Sequence, residues 1–312
     1  MAQYTTATLL NDIRVGGMLP NSSASSPNAL FTDAELLRMA DREMQIGIVP
    51  LVMSVREEYF VTHLDVPVSQ TVDQTILIPY RAIGGKVRDL QLMANDSAYQ
   101  PIPQIDLSDR SLTNQGFYVE GNVIHLFNPV ASWQALTVRM SYFRRPNKLV
   151  LPAACGVVTS ASGSTIVMAA AVTGFIGAGY QGATPLDYVR QQPGYETLAM
   201  DQLPSISSAT LTTATPLTSD PVALAAGDYI CLAEESPVPQ IPPEMHPVLA
   251  QRVICKVMEA VGDSNGLQMA TAKLAEAEHA ALTLLTPRVD GEVKKFVNRS
   301  SPMRRQRRWM LY

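Results

Sequence analysis

The stretch Glu244-Met245-His246-Pro247-Val248-Leu249-Ala250-Gln251-Arg252-Val253-Ile254-Cys255-Lys256-Val257-Met258-Glu259-Ala260-Val261 decides the helical part of the fold. Val248, Leu249, Val253, Ile254, Val257, Met258 and Val261 recur in it at spacings of three and four, which places them on one side of a helix. Gly262-Asp263-Ser264 follows, and then a second stripe of Leu267, Ala270, Leu274, Ala281, Leu282 and Leu285. So short a connection makes the two helices antiparallel neighbours. Upstream, Pro237-Val238-Pro239-Gln240-Ile241-Pro242-Pro243 reads as a linker, because proline fixes φ and removes a backbone donor.

A matching helical signal stands near the other end of the chain. Residues 1–31 read as a mixed entry segment closing in the loop Pro20-Asn21-Ser22-Ser23-Ala24-Ser25-Ser26-Pro27-Asn28. Then Thr32 or Asp33 caps a helix, Glu35 completes the capping arrangement, and Leu37, Ala40 and Met44 follow at helical spacing. Gly47 and Pro50 interrupt the run, and Pro50 suits the first turn of a second helix through Leu51, Val52, Val55 and Tyr59. The reading is two helices or one kinked helix. Leu37, Met44, Val253, Val257, Leu274 and Leu285 are the expected packing residues of the helical core.

Between the helices the period shortens. Thr75-Ile76-Leu77-Ile78-Pro79, Val123-Ile124-His125-Leu126-Phe127 and Ala135-Leu136-Thr137-Val138-Arg139-Met140-Ser141-Tyr142 are β-rich runs. Gly84-Gly85, Asn95-Asp96, Gly121-Asn122 and Asn128-Pro129 divide them. Beyond them lie short Thr-, Ser-, Ala- and Gly-rich stretches such as Ala209-Thr210-Leu211-Thr212-Thr213. The expected class is α+β: a helical bundle formed by both chain ends with a large antiparallel β insertion between them. Its expected parts are an N-terminal segment (1–31), a helical core (32–62 with 243–287), a β insertion (63–151), a second β-rich segment with the linker (152–242) and a basic tail (288–312).

Composition narrows the function. The chain of 312 residues is 46% hydrophobic, enough for one good core or two smaller ones. Only 17% of it is charged, against about 25% in typical soluble domains. Sparse charge suits a surface partly given over to neighbours; the rival is a compact neutral monomer. Met1-Ala2-Gln3-Tyr4-Thr5 lacks the basic start of a secretory signal, so synthesis in a cytoplasm is expected. The most apolar run, Ile166 to Gly179, falls short of the roughly 20 residues of a spanning helix, and no membrane association is expected. Cys155, Cys231 and Cys255 are scattered, which suggests neither a disulfide framework nor a thiolate zinc site.

Every string that resembles a chemical motif fails its context. Gly177-Ala178-Gly179-Tyr180-Gln181-Gly182 matches a dinucleotide fingerprint, yet Pro185 stands where the helix has to open and no parallel βαβ pattern surrounds it. Gly84-Gly85-Lys86 looks like the end of a phosphate loop, but Tyr80 and Val87 occupy the positions of its first glycine and its magnesium-binding hydroxyl, so it reads as a turn. His63, His125, His246 and His279 show no metal-ligand spacing. Glu57-Glu58 and Glu234-Glu235 are adjacent in sequence, and adjacent positions do not face a common cleft. No catalytic residue, metal or cofactor is expected.

The tail carries the sharpest local signal. From Arg288 to Tyr312 eight basic residues face Asp290 and Glu292, a balance of +6, so the rest of the chain carries −10 to reach the net charge of −4. Arg299, Arg304, Arg305, Arg307 and Arg308 can pair bidentately with carboxylates or phosphates, and Trp309 and Tyr312 suit pockets as anchors. Three readings stay open: docking to an acidic protein surface, contact with nucleic acid, or a solvated terminus.

Several stretches resemble a known family. Phe31-Thr32-Asp33-Ala34-Glu35-Leu36-Leu37, Pro50-Leu51-Val52-Met53-Ser54-Val55-Arg56-Glu57-Glu58-Tyr59 and Ile78-Pro79-Tyr80-Arg81-Ala82-Ile83-Gly84-Gly85 look like the head-to-tail adaptor (connector) proteins of podovirus-like tailed bacteriophages. Phe117-Tyr118-Val119-Glu120-Gly121-Asn122, Tyr142-Phe143-Arg144-Arg145-Pro146 and the closing helix pair from Pro243 add to the likeness, which spans most of the chain except roughly 152–225. The resemblance implies a non-enzymatic virion protein at the neck, a homo-oligomeric ring, commonly of twelve copies. A portal protein sits above such a ring, a tail or nozzle protein below, and double-stranded DNA passes through its lumen without sequence-specific contact. It also implies that the C-terminal extension docks into the portal, which here assigns that role to Arg299, Arg304, Arg305, Arg307, Arg308, Trp309 and Tyr312. An acidic body would repel passing DNA while the basic arm seeks the portal. Other neck, tail-tube or baseplate rings remain alternatives, as do a nucleic-acid-binding protein acting through its tail and an enzyme whose acids converge from distant segments.

Overall fold

A computed structural model describes residues 4–19, 31–67, 73–94, 98–106, 116–127, 137–172, 174–175, 185–191, 197–213 and 224–286. Five α-helices build its helical body: α1 (Thr6–Gly16), α2 (Asp33–Glu43), α3 (Val49–Val55), α4 (His246–Val261) and α5 (Ser264–Leu285). Leu9, Leu10 and Ile13 of α1, Leu36, Leu37 and Ala40 of α2, and Val248, Leu249, Val253 and Val257 of α4 meet in one hydrophobic cluster. Helix α1 lies inside the segment expected to be mixed. Its Leu9, Leu10 and Ile13 already have helical spacing, and Thr6 accepts its place by donating from Oγ1 to the Val150 carbonyl, 2.6 Å.

Local chemistry sets the helix ends. Thr32, not Asp33, caps α2: the Glu35 amide donates to its Oγ1 at 3.3 Å while its own amide donates to Glu35 Oε2 at 2.8 Å. Gly262, at φ 80°, stops α4, and Asp263 caps α5 by accepting from the Gly266 amide at 2.9 Å. Between α2 and α3 the chain neither breaks nor runs as regular α-helix. Met44–Ile48 forms a π turn that leads straight into α3. A regular helix would press the Pro50 ring against the carbonyl of Ile46 and orphan that acceptor, and the wider turn accommodates both. At Gly47 the Arg252 guanidinium packs where a Cβ would stand, so a larger residue there would have to displace it.

The strands are β1 (Val61–Pro67), β2 (Asp73–Leu77), β3 (Ala82–Ala94), β4 (Ala98–Pro101), β5 (Gly116–Glu120), β6 (Val123–Phe127), β7 (Thr137–Arg144) and β8 (Lys148–Leu149). After them come β9 (Gly156–Ser162), β10 (Thr165–Met168), β11 (Leu186–Val189), β12 (Thr197–Gln202), β13 (Ser205–Ser207), β14 (Thr210–Thr212), β15 (Tyr229–Leu232) and β16 (Glu235–Ser236). A sheet in the order β1-β7-β3-β4 faces a sheet in the order β2-β6-β5. Alternate residues from each, Leu90, Leu92, Val138, Met140, Ile76, Ile124 and Leu126 among them, make a sandwich core. Gly84 and Gly85, expected to mark a turn, lie within β3 at φ 60° and 66°. The register against β7 there jumps from Ala82↔Arg144 to Val87↔Tyr142, so they form a bulge.

A third sheet has seven strands in the order β12-β11-β15-β9-β10-β14-β13 and buries its own cluster around Tyr188, Phe175, Ile166, Leu186, Leu211 and Ile230. The parallel pair β8-β16 bridges the end of the sandwich to this sheet.

The class is therefore α+β with antiparallel sheet dominant, and the expected architecture of a bundle formed by both chain ends around one β insertion is corrected. The β material is not one insertion, because the sandwich and the seven-stranded sheet are closed by their own pairings and fill separate cores. The last described helix also ends at Leu285, short of the chain end at Tyr312.

Candidate functional site

Where the three bodies meet, a charged side chain has been taken out of water. Arg81 immediately precedes β3 in the sandwich, and Asp187 lies on β11 of the seven-stranded sheet, 3% and 0% exposed. Arg81 donates from Nη1 to Asp187 Oδ2 at 2.6 Å and from Nη2 to Oδ1 at 3.0 Å, a bidentate pair. Its Nη2 also reaches Asp201 Oδ1 at 2.6 Å and its Nε reaches the Tyr80 hydroxyl at 3.0 Å, while that hydroxyl donates to Asp201 Oδ1 at 2.8 Å. Burial disfavours the guanidinium's charge, but the bonds and charge of Asp187, with Asp201 and Tyr80 behind, outweigh it and raise the arginine's pKa.

Asp187 is saturated. Beyond Arg81 it accepts from Asn147 Nδ2 at 2.7 Å, the Glu234 amide at 3.0 Å and the Asp201 amide at 3.1 Å. The two amide donors belong to Glu234 and Asp201, which sit at φ 65° and 53°. Non-glycine residues occupy that region at a cost, and here the conformation aims each N–H at the buried carboxylate. The register between β11 and β12 shifts between Leu186 and Tyr188, the irregularity that admits the Asp201 amide. Asn147 extends the network: its amide donates to Gln240 Oε1 at 2.9 Å, and Gln240 Nε2 donates to Thr197 Oγ1 at 2.8 Å.

The helical body closes the third side. Gln45, on the π turn, donates to the Pro146 carbonyl at 2.7 Å across a cleft of about 430 Å³. Asp41, Lys148 and Glu235 line the same cleft. Burial raises the pKa of Asp41, which the Leu149 amide and Lys148 partly counter, and burial likewise raises Glu235 against the pull of Lys148. Among the described residues no group of His, Cys, Asp and Glu is arranged to hold a metal. The arrangement can clamp sandwich, sheet and helices in one relative orientation.

The sequence-predicted residues fall elsewhere. Leu37, Met44, Val253, Val257 and Leu285 are buried in the helical cluster and Leu274 is half-buried against it. Arg299, Arg304, Arg305, Arg307, Arg308, Trp309 and Tyr312 lie outside the described residues, as does Gly177–Gly182. The four histidines stand apart. His63 is exposed on β1, His279 is exposed on α5, and His125 stacks on Tyr118 at 4.7 Å. His246 is buried at the start of α4, stacked on Tyr4 at 4.5 Å, and burial lowers its pKa to about 4. Of the paired acids, the Glu234 amide joins the Asp187 network, which sequence reasoning missed along with Arg81, Asn147 and Asp201. The one local signal was an arginine set between Tyr80 and Ala82 in an apolar run.

The helical surface presents two unlike faces. A groove of about 460 Å³ runs past Met39, Ile46, Lys256 and Glu259, with Ile46 68% exposed. On α5, a helix of 22 residues, only Ala270, Ala281 and Leu285 are fully buried, and Met269 and Leu284 are 66% and 68% exposed. Among the described residues no helix is long and apolar enough to cross a membrane. No protein-family model matches the chain, and comparison with curated proteins finds no match.

Proposed function

We propose that this chain is a structural virion subunit, a head-to-tail adaptor that assembles as a homo-oligomeric ring between portal and tail. The observation that carries the reading is the sparse anchorage of α5, which leaves large apolar side chains on its outer face while a second, chemically different groove lies beside Ile46. A ring needs a heterologous interface, in which two different patches of one subunit meet on successive copies. Two unlike helical faces supply such a pair. The clamp at Arg81 and Asp187 adds the rigidity that closure demands, because a small error in subunit shape repeats at every step around the ring.

The basic tail, with Arg299, Arg304, Arg305, Arg307, Arg308, Trp309 and Tyr312, serves as the arm that docks into the portal, and the chain has no catalytic role. Double-stranded DNA passes the acidic body without sequence-specific contact, and a tail or nozzle protein binds below. Electron microscopy of the purified full chain, alone and mixed with portal-bearing capsids, tests the reading. Rings seated at the portal vertex support it, and a monomer that ignores the capsids overturns it. Removing residues 299–312 is expected to abolish attachment.

A further inference from the structure

Cys155 and Cys231 stand across from each other where two halves of the seven-stranded sheet join. The register Tyr229↔Val157 and Ile230↔Gly156 between β15 and β9 continues by one step to Cys231 and Cys155. Their sulfurs lie 3.0 Å apart, and both thiols are buried. Those two register pairs, continued by the Val158 amide donating to the Asp228 carbonyl and the Gly227 amide to the Val158 carbonyl at 2.8 Å each, join β12-β11-β15 on one side to β9-β10-β14-β13 on the other. The seam is thus short, and a thiol pair sits at its end.

Access is one-sided. Cys155 lines a cleft of about 630 Å³ shared with Ala153, Ala154, Ala171 and Leu232, whereas Cys231 is sealed behind it with no exposed surface. We infer that Cys155 and Cys231 form a dithiol modification site, oxidised to an intramolecular disulfide by small-molecule disulfides that enter through this cleft.

The exchange runs in two displacements. The Cys155 thiolate attacks one sulfur of a disulfide RSSR, forming Cys155–S–SR and releasing RS⁻. Cys231 then gives its proton to the released thiolate and attacks Cys155 Sγ, forming the Cys155–Cys231 bond and expelling a second RS⁻, which takes a proton from solvent. Two protein thiols are oxidised and one RSSR is reduced to two RSH. The order follows from access, and burial, which raises the Cys231 pKa with help from the Cys155 contact, keeps that thiol protonated until its partner is activated. The bond would staple the sheet halves across a loop of more than 70 residues, so it restrains the unfolded chain strongly.

The test treats the folded full chain with oxidised glutathione, then unfolds it in iodoacetamide and measures intact mass and disulfide-linked peptides. The expected product has lost about 2 Da and takes one alkyl group, on Cys255, with Cys155 linked to Cys231 and an apparent melting temperature higher by about 5 °C. Cys231→Ser should stop at the first displacement and retain one glutathione on Cys155, a gain of about 305 Da. Should that variant fail to fold, Cys231→Ala answers the same question. Three alkylatable cysteines in the treated wild-type chain, or a link that involves Cys255, would overturn the inference.

Discussion

Arg81 and Asp187, 106 residues apart in the chain, meet in two parallel hydrogen bonds of 2.6 and 3.0 Å, with both side chains withdrawn from solvent. Removing one partner of such a pair leaves an uncompensated buried charge, so Arg81→Met is expected to cost about 3 to 5 kcal/mol. Replacing both partners of a simple buried pair is often neutral, but here Asp187 also accepts from Asn147, Glu234 and Asp201. Arg81→Met with Asp187→Leu therefore strands three donors and is expected to remain well below wild type in urea denaturation. Recovery of wild-type stability by the double variant would show that the pair acts alone and not as the centre of a network.

Tyr188 makes the opposite case. Its ring fills the core of the seven-stranded sheet, and its hydroxyl has no hydrogen-bond partner among the described residues. Burial raises its pKa and keeps it neutral. An unpaired buried hydroxyl bears its desolvation cost with no return, so Tyr188→Phe is expected to match or exceed wild-type stability, by up to about 1 kcal/mol. A clear loss in thermal or urea unfolding would mean that the hydroxyl is satisfied by a group beyond the described residues.

His246 links stability to pH. Burial holds its folded pKa at about 4, below the ordinary value of 6.5, so the unfolded chain binds the extra proton between those values. Its contribution is complete above about pH 6.5 and is lost as pH falls towards 4, about 2 kcal/mol between pH 7 and pH 5. His246→Phe preserves the stack on Tyr4 and should remove that part of the slope. Unfolding free energies measured at the two pH values for both proteins give the comparison, and equal slopes would contradict the assignment.

What was legible in the sequence follows the range of the forces involved. The pairs Gly262 with Asp263 and Thr32 with Glu35 announce helix ends because capping acts over three or four residues. The alternation in Val138, Met140 and Tyr142 announces a half-buried strand for the same local reason. The path through Met44–Ile48 was ambiguous because a glycine and a proline at that spacing fit a break, a kink or a π turn, and the local sequence alone does not choose among them. Helix α1 was missed because loop-forming residues follow it closely. The clamp was invisible: Arg81, Asn147, Asp187 and Asp201 share no local spacing, and the β11–β12 irregularity that joins two of them arises from tertiary pairing. Division of the β material into two cores was hidden likewise, since short strands of similar composition do not reveal which partners they choose.

The exposed face of α5 gives the test that separates folding from assembly. Met269 and Leu284 project from a helix held to the body by Ala270, Ala281 and Leu285, so their outer atoms contribute little to the stability of one subunit. Substituting both by glutamate is expected to leave the melting temperature of the isolated chain within about 2 °C of wild type. In a ring interface the same carboxylates would be desolvated against apolar groups without partners, which is severely unfavourable. Sedimentation should then show only monomer for Met269→Glu with Leu284→Glu under conditions where the wild type associates. Ala270→Glu, one position from Met269 but facing the helical core, should instead unfold the chain and serves as the control for direction. Association that survives the double substitution would remove α5 from the interface and leave the groove beside Ile46 without its counterpart.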